Sequence, residues 1–175
     1  MVEFIKHDPR FWQIISLLTL SSIQIFASDF GTSAGILALS VLSCMAVQYL
    51  WTQGLWSSLP SAMITGLSLS LLLRTDLLWL YPLAAGLAIS SKFLVTSGGK
   101  HFFNPANIAI VMLLLLLPGV VWVSPGQWGS FAWLAALLTG LAGIVLSRAG
   151  RLDVAIAFLG CWAGLLLARA LWLGD

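Results

Sequence analysis

The stretch Val154-Ala-Ile-Ala-Phe-Leu-Gly-Cys-Trp-Ala-Gly-Leu-Leu-Leu-Ala-Arg-Ala-Leu-Trp-Leu173 carries a single charge, Arg169. It matches the roughly 20 apolar residues that a helix needs to cross a bilayer. Moving back toward the amino terminus, the same reading applies to Phe11 to Ala27, Ala34 to Trp51, Ser58 to Leu73, Leu77 to Val95, Asn104 to Val121 and Gly129 to Leu146. The composition agrees: 60% of residues are hydrophobic and 8% charged, with a mean hydropathy of +1.02, against about 25% charged residues in a soluble domain. The expected fold class is all-α, a polytopic transmembrane bundle of about seven helices that fills residues 1–175 as one domain in the lipid bilayer. Spanning strands are not expected, because a membrane sheet must close as a barrel of alternating segments.

Eight basic and six acidic residues give a net charge of +2 and are scattered singly. No basic cluster exists to neutralise nucleic-acid phosphates, so nucleic acid is not an expected partner. The positive-inside rule places Lys6, Arg10, Lys92, Lys100, Arg148 and Arg151 on the cytoplasmic side and Arg74 and Arg169 outside, with the amino terminus in and the carboxyl terminus out. Lys6 and Arg10 precede an apolar run in the manner of a signal peptide. Ile25, however, occupies the minus-three position before Ala27, so the first segment is expected to be a retained helix.

Trp12, Trp51, Trp56, Trp79, Trp122, Trp128 and Trp172 lie near expected helix ends, where indoles suit the membrane interface. Trp133 and Trp162 lie deeper and are expected to pack within the bundle. Cys44 and Cys161, far apart in sequence, read as small buried hydrophobes. Small residues allow helices to approach closely in lipid. Gly160 and Gly164 form a GxxxG pair, and Ala136, Gly140 and Gly143 line one side of the sixth segment. Ser61, Thr65 and Ser68 recur at helical spacing beside Gly66. Such a stripe either lines a polar path for a solute or makes interhelical contacts with its hydroxyls on backbone carbonyls.

Most of the unusual chemistry lies in Ser90-Ser91-Lys92-Phe93-Leu94-Val95-Thr96-Ser97-Gly98-Gly99-Lys100-His101-Phe102-Phe103-Asn104-Pro105-Ala106-Asn107. Gly98-Gly99 is expected to break the fourth helix. Asn104 suits an N-cap and Pro105 the first helical position, so a new helix should start there. A helix amino terminus attracts anions. With Lys100 and His101 before it and Asn107 one turn inside, this end is a candidate site for a phosphate, a carboxylate or a flavin ring edge; the alternative is a cytoplasmic loop in which Asn104 only caps. Lys92, one turn from a helix end, either snorkels to the interface or joins the polar path of Ser61, Thr65 and Ser68. No hydrolase, P-loop or metal-ligand motif is present, so no metal site is expected, and any chemistry would belong to a bound cofactor.

The run Gly99-Lys100-His101-Phe102-Phe103-Asn104-Pro105-Ala106-Asn107 resembles the GKHxFNPxN element of the RnfD/NqrB family of membrane subunits, most closely the RnfD-like proteins associated with enediyne biosynthesis clusters. Further resemblance lies in Asp8-Pro9-Arg10, in Gly66 to Thr75, in Val123 to Ser130 and in Ala170 to Asp175. The resemblance implies part of an inverted-repeat fold and a subunit of an electron-transport or ion-translocating oxidoreductase of the bacterial inner membrane. Lys100, His101, Asn104, Pro105 and Asn107 would then lie near FMN or riboflavin. The family's covalent flavin is carried by a threonine in an SGAT-type motif, which Thr96-Ser97-Gly98-Gly99 does not reproduce, so a flavin here would be non-covalent. Family chains continue past the point matching Asp175. That implies a short member, a homo-oligomer that supplies the second half in trans, or a truncated product. Other readings are a channel or transporter built on the Asn104-Pro105-Ala106 half-helix, as in aquaporins, and a noncatalytic subunit that assembles with other membrane proteins.

Overall fold

The computed structural model describes residues 8–26, 32–124 and 132–174. Seven α-helices occupy most of these residues: α1 (Pro9–Phe26), α2 (Ala34–Trp51), α3 (Leu59–Leu72), α4 (Leu80–Leu94), α5 (Pro105–Leu116), α6 (Ala132–Ala149) and α7 (Leu152–Leu173). The all-α expectation therefore holds. Three helices, α2, α6 and α7, are long and apolar enough to cross a bilayer, which marks the chain as a membrane protein.

The distribution of side chains gives an independent sign of a lipid environment. The buried residues of α1 are Ser16, Ser21 and Gln24, and those of α2 are Ser40, Cys44 and Gln48. Phe11, Ile15, Leu18, Phe26, Leu42 and Leu50, on the same two helices, are exposed. In water this arrangement would be inverted, because apolar burial drives folding there. Lipid tails are as apolar as leucine, so helices in a bilayer gain instead from close packing; among the described residues Gln24 Nε2 reaches Leu71 O at 3.4 Å, while Ser21 Oγ and Ser40 Oγ are packed without a hydrogen-bond partner.

Close packing centres on α4. Its residues Tyr81, Ala84, Ala85, Ala88 and Ile89 are buried against Ala106, Ala109, Ile110 and Leu113, which lie on one face of α5. Alanines on both sides let the two backbones approach. At the α2–α3 crossing Gly66 has the same role: a Cβ built on it would lie 2.6 Å from Val41 Cα. α1 packs on α3 and α6, and α2 on α3 and α4.

The expected GxxxG seam is not used in this way. A Cβ added at Gly140, Gly143, Gly160 or Gly164 would meet nothing within 4 Å, and α7 buries no residue. Trp133 and Trp162, expected inside, are 57% and 54% exposed, and Cys161 is exposed whereas Cys44 is buried. The reason is that α7 packs on α6 alone among the stronger helix contacts, and its apolar surface needs no protein cover in lipid.

Helices α3, α4 and α5, of 14, 15 and 12 residues, rise about 21, 22 and 18 Å at about 1.5 Å per residue, short of the roughly 30 Å hydrocarbon core. Two-residue strands, absent from the sequence expectation, continue them. β1 (Leu73–Arg74) pairs antiparallel with β4 (Trp122–Val123) at one end of the bundle; β2 (Thr96–Ser97) pairs with β3 (Lys100–His101) at the other. These ladders satisfy backbone groups where helix stops, which an apolar solvent requires. The fifth segment accordingly ends as helix at Leu116 instead of continuing to Val121. Beside β1, the Arg74 guanidinium donates to the carbonyls of Ser70 (2.9 Å), Leu73 (2.7 Å) and Leu71 (3.1 Å), satisfying the carboxyl end of α3.

Candidate functional site

The opposite end of the bundle holds the Asn-Pro element. Gly98 and Gly99 have φ of +58° and +75°, a pair of left-handed residues that turns β2 tightly into β3 and suits only glycine without strain. Phe102 N then donates to Val95 O at 3.2 Å, and the chain enters α5 at Asn104. The Asn104 side-chain oxygen accepts from Ala106 N (3.1 Å) and Asn107 N (3.3 Å), and Pro105 takes the first turn. The expected capped start at Asn104 is thus present. His101 Nδ1 lies 3.0 Å from Phe103 O, which fixes the orientation of the ring.

This start of α5 forms one wall of a cavity of about 230 Å³. Arg10 and Gln13 of α1, Ser61, Ile64, Thr65 and Ser68 of α3, Lys92 of α4, and His101, Asn104 and Pro105 complete its lining. Two groups of residues that the sequence marks separately therefore meet: the polar stripe of α3 and the Asn-Pro helix start. The meeting depends on the antiparallel course of α3 and α4, which sets the first turn of one beside the last turn of the other.

Lys92 is held within this end of the bundle instead of snorkelling outward. Its ammonium donates to Ser61 O and Ser61 Oγ, both at 3.2 Å. Thr65 Oγ1 donates to Ser61 O at 3.0 Å, the intrahelical bond expected of a hydroxyl in lipid. Arg10 has its Nε 3.7 Å from Asp8 Oδ1, and no carboxylate lines the cavity itself. Two basic side chains, an imidazole, hydroxyls and the positive end of α5 converge, a donor set that suits an anion.

Two of the sequence candidates do not join them. Asn107 is exposed and lines neither this cavity nor its neighbour; one turn into α5 its side chain has rotated away. Lys100 is placed by its backbone opposite Ser97, and its side chain lies outside the described residues. Conversely, Arg10 and Gln13 are in the lining but are legible in the sequence only as a membrane-flanking charge and an isolated polar residue. Their spacing of three on the first turn of α1 is the signal that both face one way.

Aromatic contacts brace this end. Trp51 stacks on Phe93 at 5.0 Å and donates from Nε1 to Ser90 Oγ at 3.2 Å, joining α2 to α4. The Arg148 guanidinium sits 5.2 Å from the Trp12 ring centroid, joining α6 to α1. Among the described residues no group of three His, Cys, Asp or Glu side chains gathers as a metal site would require. Comparison of the chain with protein-family models, curated proteins and solved structures finds no match.

Proposed function

We propose that the chain is an RnfD-like membrane subunit of an electron-transport or ion-translocating system, and that its cavity receives the phosphate end of a non-covalently held flavin mononucleotide. The observation that carries the reading is the convergence of Lys92, Arg10, His101 and the amino terminus of α5 on one carboxylate-free cavity. At about 230 Å³ it is smaller than the roughly 300–1,000 Å³ that encloses a drug-sized molecule. It accordingly suits the charged end of such a ligand and not the whole of it. The flavin, when bound, supplies the electron chemistry; the residues of this chain bind and orient the anionic group. The same end gathers Arg10, Lys92, Arg148 and Arg151, whereas Arg74 and Arg169 lie toward the other, and the proposal sets the cationic end at the cytoplasmic face.

The test is titration of detergent-purified protein with FMN, riboflavin and inorganic phosphate, followed by flavin fluorescence. FMN should bind roughly 10-fold or more tighter than riboflavin, since hydrogen bonds to a charged group contribute about 1.5–3 kcal/mol. Phosphate should compete with FMN, and Lys92→Gln should abolish the preference without changing the affinity for riboflavin. Equal binding of the two flavins, or binding of neither, would contradict the reading.

A further inference from the structure

Beyond the small cavity, on the far side of the wall formed by His101, Asn104 and Pro105, lies a wider groove of about 720 Å³ between the start of α5 and the α6–α7 pair. Its chemistry differs. One side is Arg151, the N-cap of α7, followed by Val154, Ala155 and Phe158 on one face of that helix and joined by Leu146 of α6. Phe102 and Phe103, packed edge to face at 4.8 Å, stand across from it.

We infer that this groove holds one anionic phospholipid, with the phosphate on Arg151 at the bundle end and an acyl chain laid along Val154, Ala155 and Phe158. Three observations support it. Arg151 is exposed, and no ion pair or hydrogen bond engages its guanidinium among the described residues. No carboxylate lines the groove to compete for that charge; Asp153 lies in the same turn but outside the lining. Below the cation the stripe is wholly apolar, and Phe158 lies about 10 Å deeper than Arg151 at about 1.5 Å per residue. A charged end followed by an apolar length matches the head and chain of a lipid, and basic pockets between helices take anionic headgroups in this manner. A free phosphate would use the cation and leave the apolar stripe and the phenylalanine pair without a role. The inference is separable from the flavin reading: the two sites share the wall of His101, Asn104 and Pro105, but Lys92 and Arg10 line only the cavity and Arg151 only the groove.

The test uses the full chain in detergent supplemented with palmitoyl-oleoyl phosphatidylglycerol or with the phosphatidylcholine of the same chains, counting retained lipid by native mass spectrometry. Wild-type protein should retain phosphatidylglycerol roughly fivefold over phosphatidylcholine, the factor expected for one basic residue at a membrane surface. Arg151→Gln should remove that preference, Arg151→Lys should keep most of it, and Phe158→Ala should lower retention of both lipids. Equal retention of the two lipids by wild type would overturn the inference. So would an undiminished preference in Arg151→Gln, or complete displacement of the lipid by inorganic phosphate at millimolar concentration.

Discussion

Replacing Gly66 by alanine places a methyl group where the α2 backbone already lies. The added Cβ would sit 2.6 Å from Val41 Cα and 3.0 Å from both Ser40 O and Val41 N. Carbon atoms rest about 3.5–4.0 Å apart, so the two helices must separate by about 1 Å at their crossing. The obstruction is backbone and cannot rotate away, which argues for the upper part of the roughly 1–3 kcal/mol range for overpacking. Alanine returns up to about 1 kcal/mol through its better helix propensity, leaving a net loss of about 2 kcal/mol. For a chain of this size that corresponds to a melting temperature lower by roughly 4–8 °C. Gly86→Ala is the matched control, since nothing lies within 4 Å of its added Cβ, and it should melt at or slightly above wild type. Thermal unfolding in detergent, followed by tryptophan fluorescence, reads both. If Gly66→Ala melts with the wild type, or both variants shift alike, the close α2–α3 crossing is wrong.

Substitutions at three further positions have defined outcomes. Arg74→Gln removes charged donors from carbonyls at the end of α3 and should cost about 1.5–3 kcal/mol, read as a lower melting temperature with faster hydrogen exchange at residues 70–74. Asn104→Ala should cost about 1 kcal/mol through the lost cap and also weaken FMN binding. Asn104→Asp keeps a capping oxygen but adds negative charge to the cavity, so its stability should stay near wild type while FMN titration shows the larger loss. Ser40 Oγ is fully buried without a hydrogen-bond partner among the described residues. Ser40→Ala should therefore leave the melting temperature unchanged or raise it, because an unsatisfied buried hydroxyl costs about 1–3 kcal/mol.

Much of the architecture can be read from the chain because lipid imposes a simple rule, a continuous apolar run for each helix. The limits Ala34 and Trp51 of the second helix, and Leu173 at the end of the seventh, coincide with the sequence expectation. The shortfalls have local causes. Gly119, at φ +80°, and the pairing of Trp122–Val123 with β1 end α5 as helix before its apolar run is exhausted, and hydropathy does not register a turn made of apolar residues. The small-residue seam is misplaced by the sequence because glycine pairs in α7 look the same whether a helix or lipid covers them; the seam in use is Ala84, Ala85 and Ala88 against Ala106 and Ala109. At the site, the cap of α5 is legible from Asn104-Pro105, since capping is local chemistry. That Ser61 and Lys92 meet it, and that Arg10 joins them, depends on tertiary packing that no single segment encodes.

Lipid, and not water, covers the apolar exterior of this bundle, and the two native cysteines report on it without mutation. Cys161 is exposed on α7, whereas Cys44 is fully buried. A nitroxide attached to the protein in vesicles should therefore sit on Cys161 alone, and its relaxation should respond strongly to molecular oxygen, which concentrates in lipid, and little to a water-soluble nickel chelate. Strong relaxation by the chelate with a weak oxygen response would place that face of α7 in water and contradict the account.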